Sequence, residues 1–483
     1  MLNSPKTHKQ AYAWLLVGAL AGLLMAFLFD DSCQQDGGQH FLFARWAWTH
    51  PELFVGVWSR PLFTTLYAFP ALLSFRAARL LTVLICVLIS WQTWRLATEL
   101  KLPRAPFSIP LLWLQPSFLL FSADTMTEPI FALCYVIALR LHHQGRVKAG
   151  LLVASLLILA RPEGFFLAAL WAVWVLPANI RQNPFSVIRQ PRWLLLGAGF
   201  ALWWLAALLL TGDPLFIKHN WPTNWPMTGT IYGAAGLLAF PARLPEITGL
   251  FLLPVFLYGL VWLLKQRSLC TLTSSFLLLF GLHTILRAFG LLGSAGYPRY
   301  LVTIAPAIAL LTLVGWHQLA QRLADLSLQF RRAAVALLLL LSAYVNFVYA
   351  DGAEWSRDAR ALTVVHQWWQ AQPQAPQITK LLWCQPYACI LFDHDPWENP
   401  AFTRDKARDL EMLRAQPAGT LAVWDEKVGP KWFGLSARDF ASAGFVSVHA
   451  QSFSLRGYIL DRSWFGFGGP RQQTIHLLYK SQP

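Results

Sequence analysis

Charged residues are scarce in this sequence. Only 13% of its 483 residues are charged, whereas 56% are hydrophobic. A water-soluble domain is typically about 25% charged, because its surface must be hydrated. The shortage of charge therefore excludes an ordinary soluble protein of this length and favours an integral membrane protein.

Dense basic clusters and internal repeats are lacking as well. The formal net charge is +15, but Lys and Arg are scattered through short loops between apolar segments. Nucleic-acid-binding surfaces usually concentrate such residues on one face, so this placement argues against a nucleic-acid partner. Short basic loops on the cytoplasmic side of a membrane account for the charge more simply.

Long apolar segments are abundant, and several approach the ~20 residues that span a bilayer. Residues 11–29 follow Lys6 and Lys9 without a small-x-small cleavage site before Asp30, so we interpret this segment as a retained anchor and not as a signal peptide. About eleven spans are predicted, near residues 11–29, 77–97, 107–122, 129–145, 149–160, 165–180, 193–211, 246–264, 269–290, 301–320 and 333–350.

The loops between these segments differ between the two sides of the membrane. With the N-terminus inside, the inside loops carry Lys101, Arg104, Arg146, Lys148, Arg181, Arg189, Arg192, Lys265, Arg267, Arg322, Arg331 and Arg332, as the positive-inside rule requires. The outside loops carry Asp30, Asp31, Asp36, Glu52, Asp124, Glu128, Glu163, Asp213 and Glu246. That rule does not explain the position of the acids. A chemical site on the outer face would explain it, the alternative being that loops are polar in any case.

From about residue 351 the sequence changes character. Charge rises, and short strand-like runs alternate with helix-like ones, which is typical of a compact α/β domain. The predicted fold is thus a polytopic α-helical membrane domain (1–350) followed by a small extracytoplasmic α/β domain (351–483). Cys384 and Cys389 flank a predicted hairpin there. In an oxidising compartment they form either a disulfide or two free thiols.

The first outer loop carries the strongest resemblance to a known family. Acids directly after a span mark functional sites by default, and here they are Asp30, Asp31 and Asp36. The pattern Asp36-x-x-x-His40-x-x-x-Ala44-Arg45 resembles the first loop of the GT-C superfamily of polyprenyl-phosphate-sugar-dependent glycosyltransferases, which includes protein O-mannosyltransferases and aminoarabinose transferases. The resemblance places Asp36 at the catalytic acid. Gly37 replaces a second acid of many relatives, which leaves open whether Asp30 and Asp31 share the role.

Further short motifs resemble the same superfamily and together extend over about residues 10–350. They are Thr127-Glu128-Pro129, Arg161-Pro162-Glu163-Gly164, Thr211-Gly212-Asp213-Pro214-Leu215 and Tyr297-Pro298-Arg299-Tyr300. Together with the first-loop motif, they suggest a set of residues that support the site: His40, Glu128, Glu163, Asp213 and Tyr300.

Arginine suits the phosphate of such a donor, because its planar fork binds two oxygens and stays charged. The candidates for binding the donor phosphate are Arg299, Arg161, Arg60, Lys218 and His219. Two alternatives stay open: Arg299 could be an anchor at the membrane interface, and Arg161 could order a tight turn with Glu163.

The resemblance implies an inverting glycosyltransferase of the bacterial inner membrane, and the basic inside loops predict a cytoplasmic N-terminus. It would move a hexose or pentose, mannose among the options, from a polyprenyl phosphate to an acceptor hydroxyl of a glycan, lipid or protein. No cofactor is certain, although a carboxylate near the interface can hold Mg²⁺ or Mn²⁺ as well as act as a base. A flippase or transporter of lipid-linked saccharide, or a non-catalytic assembly subunit, is the competing hypothesis.

Overall fold

The computed structural model describes residues 5–28, 33–176, 191–222, 232–351, 354–372, 378–398, 402–455 and 471–481. Its contacts divide the chain into two units. The first comprises Met1–Leu28 and Ala47–Ala350, and the second comprises Phe29–Trp46 and Asp351–Pro483. The sequence assigned residues 29–46 to the membrane domain. The contacts group them instead with the tail, because the helix of this loop packs on a helix of the tail.

The first unit is helical. Proline stands at the first or second position of many of its helices, where the missing N–H has no intrahelical partner to lose. Numbered along the chain, with α2 left to the second unit, the helices are α1 Pro5–Leu28, α3 Pro61–Leu73, α4 Phe75–Glu99, α5 Ser108–Trp113, α6 Pro116–Phe121, α7 Glu128–His143, α8 Val147–Ser155, α9 Leu157–Ala160, α10 Gly164–Trp174, α11 Ala198–Thr211, α12 Phe216–His219, α13 Leu244–Thr248, α14 Leu253–Gln266, α15 Cys270–Phe289, α16 Ala305–Arg322 and α17 Leu328–Asp351.

Among the described residues, six helical stretches are long and apolar enough to cross a membrane. These are Thr7–Leu28, Phe75–Glu99, Pro191–Thr211, Cys270–Phe289, Pro298–Arg322 and Leu328–Tyr349. A pair bent by 105°, Pro241–Thr248 with Leu253–Gln266, would make a seventh. The polytopic helical membrane fold is thus confirmed. The number of eleven spans stays a prediction, because several predicted segments form shorter helices, and 107–122 is broken ahead of Pro116.

Glycine allows close helix packing where α14 meets α16. A Cβ at Gly259 would overlap the Leu311 carbonyl oxygen and lie 2.7 Å from the Gly315 nitrogen, and a Cβ at Gly315 would overlap the Val255 carbonyl. The two backbones touch because neither position carries a side chain. This contact supports α16, which continues directly from the segment Pro298–Ile304 that bears Arg299.

Helix α7 separates two polar regions of the first unit. It begins at Glu128, and its last turn carries Arg140, which pairs with Glu99 at the end of α4 (Nη2 to Oε1, 2.5 Å). Its 16 residues correspond to a length of about 24 Å at 1.5 Å per residue. The Glu99–Arg140 pair and the residues around Glu128 therefore lie at opposite ends of the helix.

The second unit contains a four-stranded sheet in the order β1-β2-β4-β3, with β1 and β2 parallel and the other pairs antiparallel. Trp424 and Phe440 are fully buried in its core, with Leu382, Leu413 and Leu478 around them. This confirms the small α/β domain. Its elements are α2 Gln35–Trp46, α18 Glu354–Gln370, β1 Lys380–Trp383, α19 Pro386–Leu391, α20 Lys406–Arg414, β2 Thr420–Asp425, α21 Gly429–Phe433, α22 Ala437–Ser442, β3 Val446–Leu455 and β4 Arg471–Lys480.

The structure corrects the predicted hairpin at Cys384 and Cys389. Strand β1 is followed by helix α19 and not by a second strand, and both cysteines are buried and free. Cys384 faces strand β2, where its Sγ accepts a hydrogen bond from the Asp425 backbone N–H at 3.2 Å. The predicted disulfide is therefore not formed in this structure. Burial raises the pKa of both thiols well above the ordinary value.

Candidate functional site

Four charged residues from three of the predicted motifs meet inside the first unit. They are Glu128 at the start of α7, Arg161 at the end of α9, Glu163 before α10 and Arg299 in the segment Pro298–Ile304. None is more than 9% exposed. Charges are rarely buried unless they are paired, and here two guanidinium groups face two carboxylates. We call this group the arginine–glutamate cluster.

Glu128 joins the two arginines of the cluster and is completely buried. Its Oε1 lies 2.8 Å from Nη1 of Arg161 and 3.3 Å from Nε of Arg299. Neither carboxylate oxygen accepts a well-aligned hydrogen bond from any described residue. These two contacts are therefore ion pairs without well-aligned hydrogen bonds.

Arg161 and Glu163 form a fork across a tight turn. Arg161 donates from Nε to Oε2 of Glu163 at 3.2 Å and from Nη2 to Oε1 at 2.9 Å. Its Nη1 donates to the Thr127 hydroxyl at 3.0 Å. Protein groups thus already engage much of this guanidinium. This geometry favours the interpretation that Arg161 orders the turn and supports the site.

Two tyrosines surround Arg299. Its Cζ lies 4.6 Å from the ring centroid of Tyr297 and 5.8 Å from that of Tyr300, within the range of cation–π contacts. Tyr300 also contacts Arg161, whose Cζ is 5.5 Å from the ring centroid. Arg299 is only 5% exposed. An arginine that anchors a helix at the membrane interface extends its head group to water, so this burial favours a site residue.

His283 on α15 completes the surroundings of Tyr300. The two rings stack with centroids 4.8 Å apart and planes 29° apart. Its Nε2 lies 3.8 Å from Oε1 of Glu163, which is too far for a hydrogen bond. Sequence reasoning assigned His283 no role. A signal was present, however, because an ionisable residue in the middle of an apolar span marks a functional site by default.

Asp36, His40 and Arg45 lie on α2 in the second unit. Asp36 stands in the first turn and is partly buried, and its backbone N–H donates to the side-chain oxygen of Gln34 at 2.7 Å. His40 is buried, and Arg45 pairs with Asp393 at 2.6 Å. Asp30 and Asp31, the other candidate acids, lie outside the described residues.

The remaining phosphate candidates lie in loops of the first unit. Arg60 precedes α3, donates from Nη1 to the Val57 carbonyl at 2.8 Å and lies over the Trp58 ring. Lys218 and His219 end the short helix α12, where Nδ1 of His219 is 2.8 Å from Oδ2 of Asp213. The hydrogen bond with His219 lowers the pKa of Asp213. The structure thus brings Arg299 and Arg161 together, while Arg60 and His219 make other contacts and Lys218 is exposed.

A divalent cation needs several oxygen or nitrogen ligands at one point. In the described parts of the chain, no three His, Cys, Asp or Glu residues come together in a way that could hold a metal ion. The described residues therefore do not form a metal site by themselves.

Comparison with solved structures identifies the fold. The chain matches ArnT of Cupriavidus metallidurans bound to undecaprenyl phosphate with a TM-score of 0.59 and 14% sequence identity, over 96% of this chain and 98% of that one. It matches the apo state of the same protein with a TM-score of 0.60 and 13% identity, over the same shares of the two chains. No protein-family model and no curated protein sequence matches the chain.

These matches extend over nearly the full length of both chains, including the tail. The chain therefore has the fold of ArnT, which confirms the GT-C-like fold that the first-loop motif implied. Sequence identities of 13–14% establish the fold alone, because one fold can serve many different activities.

Proposed function

We propose that this protein is a glycosyltransferase that moves a sugar from a polyprenyl-phosphate-linked donor to an acceptor hydroxyl on the extracytoplasmic face of the membrane. The buried arginine–glutamate cluster carries the proposal, because two arginines held together inside an apolar helical unit suit a lipid phosphate. The fold adds support, since one of the matched ArnT structures holds undecaprenyl phosphate.

Arg299 is the proposed ligand of the donor phosphate. Its guanidinium is already oriented by Tyr297, Tyr300 and Glu128, so little side-chain entropy is lost on binding. Glu128 holds Arg299 through an ion pair in which neither of its oxygens accepts a well-aligned hydrogen bond. A phosphate oxygen, which can align with the guanidinium fork, would take the place of this carboxylate. Arg161 stays fixed by Glu163 and stabilises the phosphate through charge.

In the proposed reaction Asp36 accepts the proton of the acceptor hydroxyl, and the acceptor oxygen attacks the anomeric carbon of the donor sugar. The bond from that carbon to the phosphate oxygen breaks, and the electron pair leaves with the polyprenyl phosphate. A single displacement inverts the configuration at the anomeric carbon. The leaving phosphate gains negative charge, which Arg299 and its neighbours stabilise most strongly when the bond is broken.

The remaining parts of the proposal follow from the family resemblance and, for the orientation, from the positive-inside rule and the odd number of predicted spans. The protein would lie in a bacterial inner membrane, with a cytoplasmic N-terminus and an extracytoplasmic tail. Mannose is one candidate sugar, and a glycan, lipid or protein is the acceptor. Asp30 and Asp31 are kept as further candidate acids. Mg²⁺ or Mn²⁺ is kept as a candidate cofactor, to be decided by chelation with EDTA and by adding each cation back in the assay below.

Exchange of Asp36 for Asn tests the proposed base. The purified protein in lipid nanodiscs would be given a panel of undecaprenyl-phosphate sugars and an extract of envelope acceptors. Removal of a general base lowers turnover by about 10²–10⁴-fold, so we expect that range for Asp36→Asn with lipid binding retained. Glu52→Gln is the matched control, because Glu52 is an exposed acid of the same predicted loop beside His50. It should keep turnover within about twofold.

Two results would contradict the proposal at different levels. Full turnover by Asp36→Asn, together with loss of turnover in Asp30→Asn or Asp31→Asn, would mean that Asp30 or Asp31 is the base and Asp36 is not. A wild-type protein that moves lipid-linked sugar between leaflets without ever transferring it would be a flippase, and the glycosyltransferase proposal would then be wrong.

A further inference from the structure

His283 is a buried histidine whose polar atoms have no hydrogen-bond partner among the described residues. It is 3% exposed, and neither Nδ1 nor Nε2 makes a hydrogen bond there. Its ring stacks on Tyr300 and lies 5.6 Å, centroid to centroid, from Phe240. A phenylalanine would fill this place without leaving two polar atoms buried and unsatisfied, an arrangement that native proteins generally avoid. The unsatisfied nitrogens therefore point to a ligand.

The charges of the cluster explain what such a ligand needs. Arg161 and Arg299 are balanced by Glu128 and Glu163, so the four groups together carry no net charge. A phosphate that enters a buried, neutral cluster gains little net attraction, because two carboxylates oppose it. One added proton would give the cluster a net positive charge. A phosphate that binds beside the His283 ring would stabilise the protonated imidazolium, so this histidine can take up the proton as the lipid binds.

We infer that His283 is a phosphate-binding residue of the donor site that binds polyprenyl phosphate in its protonated form, through an N–H donated to a phosphate oxygen. The inference rests on the proposed function and adds a ligand and a pH dependence to it. The charged groups that face the ring are Glu163, from the turn before α10, and Arg161, from the end of α9. Tyr300, the polar side chain of Pro298–Ile304 that faces it, connects the histidine with Arg299.

The test is the affinity for undecaprenyl phosphate between pH 5.5 and 8.5, measured on the full-length protein in nanodiscs. The variants are His283→Gln, which keeps a neutral hydrogen-bonding group, and His283→Phe, which keeps the stacking on Tyr300. The control is His317→Gln, since His317 lies on α16 about 13 residues, or roughly 20 Å, beyond the Arg299 segment.

The expected result is a pH-dependent ratio of affinities. A charge-assisted hydrogen bond should make the wild type bind about tenfold more tightly than His283→Gln at pH 6, and this ratio should fall towards one at pH 8. The lipid phosphate titrates in the same range, but its titration is common to all variants and cancels in the ratio. His317→Gln should follow the wild type at every pH.

Other results would contradict the inference, and one of them would also contradict the proposed function. Equal affinities, or a ratio that is the same at every pH, would mean that His283 only packs against Tyr300, and the inference would be wrong while the proposed function stood. A wild type that binds no undecaprenyl phosphate at any pH would overturn both. Where His283→Gln does not fold, His283→Phe supplies the same comparison.

Discussion

Replacement of Glu128 by Gln removes one carboxylate from the arginine–glutamate cluster with little change of volume. Glu128 is completely buried, and its Oε1 is within 3.3 Å of both Arg161 and Arg299. Its loss leaves two buried guanidinium groups with Glu163 as the remaining carboxylate of the cluster. Removal of one partner of a buried ion pair costs about 3–5 kcal/mol. Because Arg161 keeps its fork to Glu163, we expect the lower end, about 3 kcal/mol.

The assay is the apparent Tm of the purified protein in detergent, followed by tryptophan fluorescence. At about 2 °C per kcal/mol for a long chain, Glu128→Gln should lower the apparent Tm by about 6 °C. Glu99→Gln is the matched control. Glu99 also pairs with an arginine, but its side chain is 22% exposed. Solvent weakens a partly exposed pair, which typically contributes about 1 kcal/mol, so this control should lose about 2 °C, clearly less than Glu128→Gln.

Adding undecaprenyl phosphate distinguishes two roles of Glu128: stabilising the fold, and competing with the lipid phosphate for Arg299. If its carboxylate competes with the phosphate for Arg299, the variant binds the lipid at least as tightly as the wild type. Lipid at 100 times its Kd stabilises a protein by about 2.7 kcal/mol, so it should restore most of the lost stability. Equal Tm losses in Glu128→Gln and Glu99→Gln would refute the importance of the buried pair. Weaker lipid binding by Glu128→Gln would refute the competition.

Two further predictions concern packing and the cysteines. Gly259→Ala should lower the apparent Tm, because overpacking against α16 costs about 1–3 kcal/mol. Gly281→Ala is the control and should keep the wild-type Tm, because its Cβ would meet no described atom within 4 Å. Equal Tm values for the two variants would contradict the close contact between α14 and α16. A thiol reagent at pH 8 should label the exposed Cys270 in the folded protein but not Cys384 or Cys389, because burial raises the pKa of both thiols. After denaturation without reductant, all six cysteines should react, and labelling of only four would show a disulfide.

The apolar pattern alone predicts most of the helices of the first unit. Residues 77–97 lie within helix Phe75–Glu99 and residues 269–290 nearly coincide with Cys270–Phe289, because an uninterrupted apolar run of that length has few other ways to satisfy its backbone in a membrane. Breaks are harder to predict. Leu114 and Gln115 interrupt the segment 107–122 ahead of Pro116, and the length of each resulting helix depends on its neighbours.

The loop that bears Asp36 shows a limit of local reasoning. The aromatic run at residues 41–48 of this loop suits a helix at the membrane interface, and a helix does form at Gln35–Trp46. The partners of that helix cannot be found from the loop itself. Gly38 lies against Pro386 and Ile390 of α19, and Phe43 lies 5.4 Å from Trp397, centroid to centroid. These contacts join residues that are distant in the sequence. Periodicity and composition describe only residues that are near one another, so the grouping with the tail was not predictable from them.

The same limit applies to the chemistry of the cluster. Each motif alone indicates a polar residue beside a span, and the sequence could rank Arg299 as a phosphate ligand. It could not show that Glu128 neutralises that arginine, because the two residues meet only when α7 and Pro298–Ile304 pack together. The pairing changes which anions Arg299 can bind. An arginine without a carboxylate partner would attract any anion. Paired with Glu128, Arg299 binds an anion only when that anion replaces Glu128 or when a proton is added nearby. A donor site built in this way would bind a lipid phosphate selectively, and His283 is the described neighbour best suited to carry that proton.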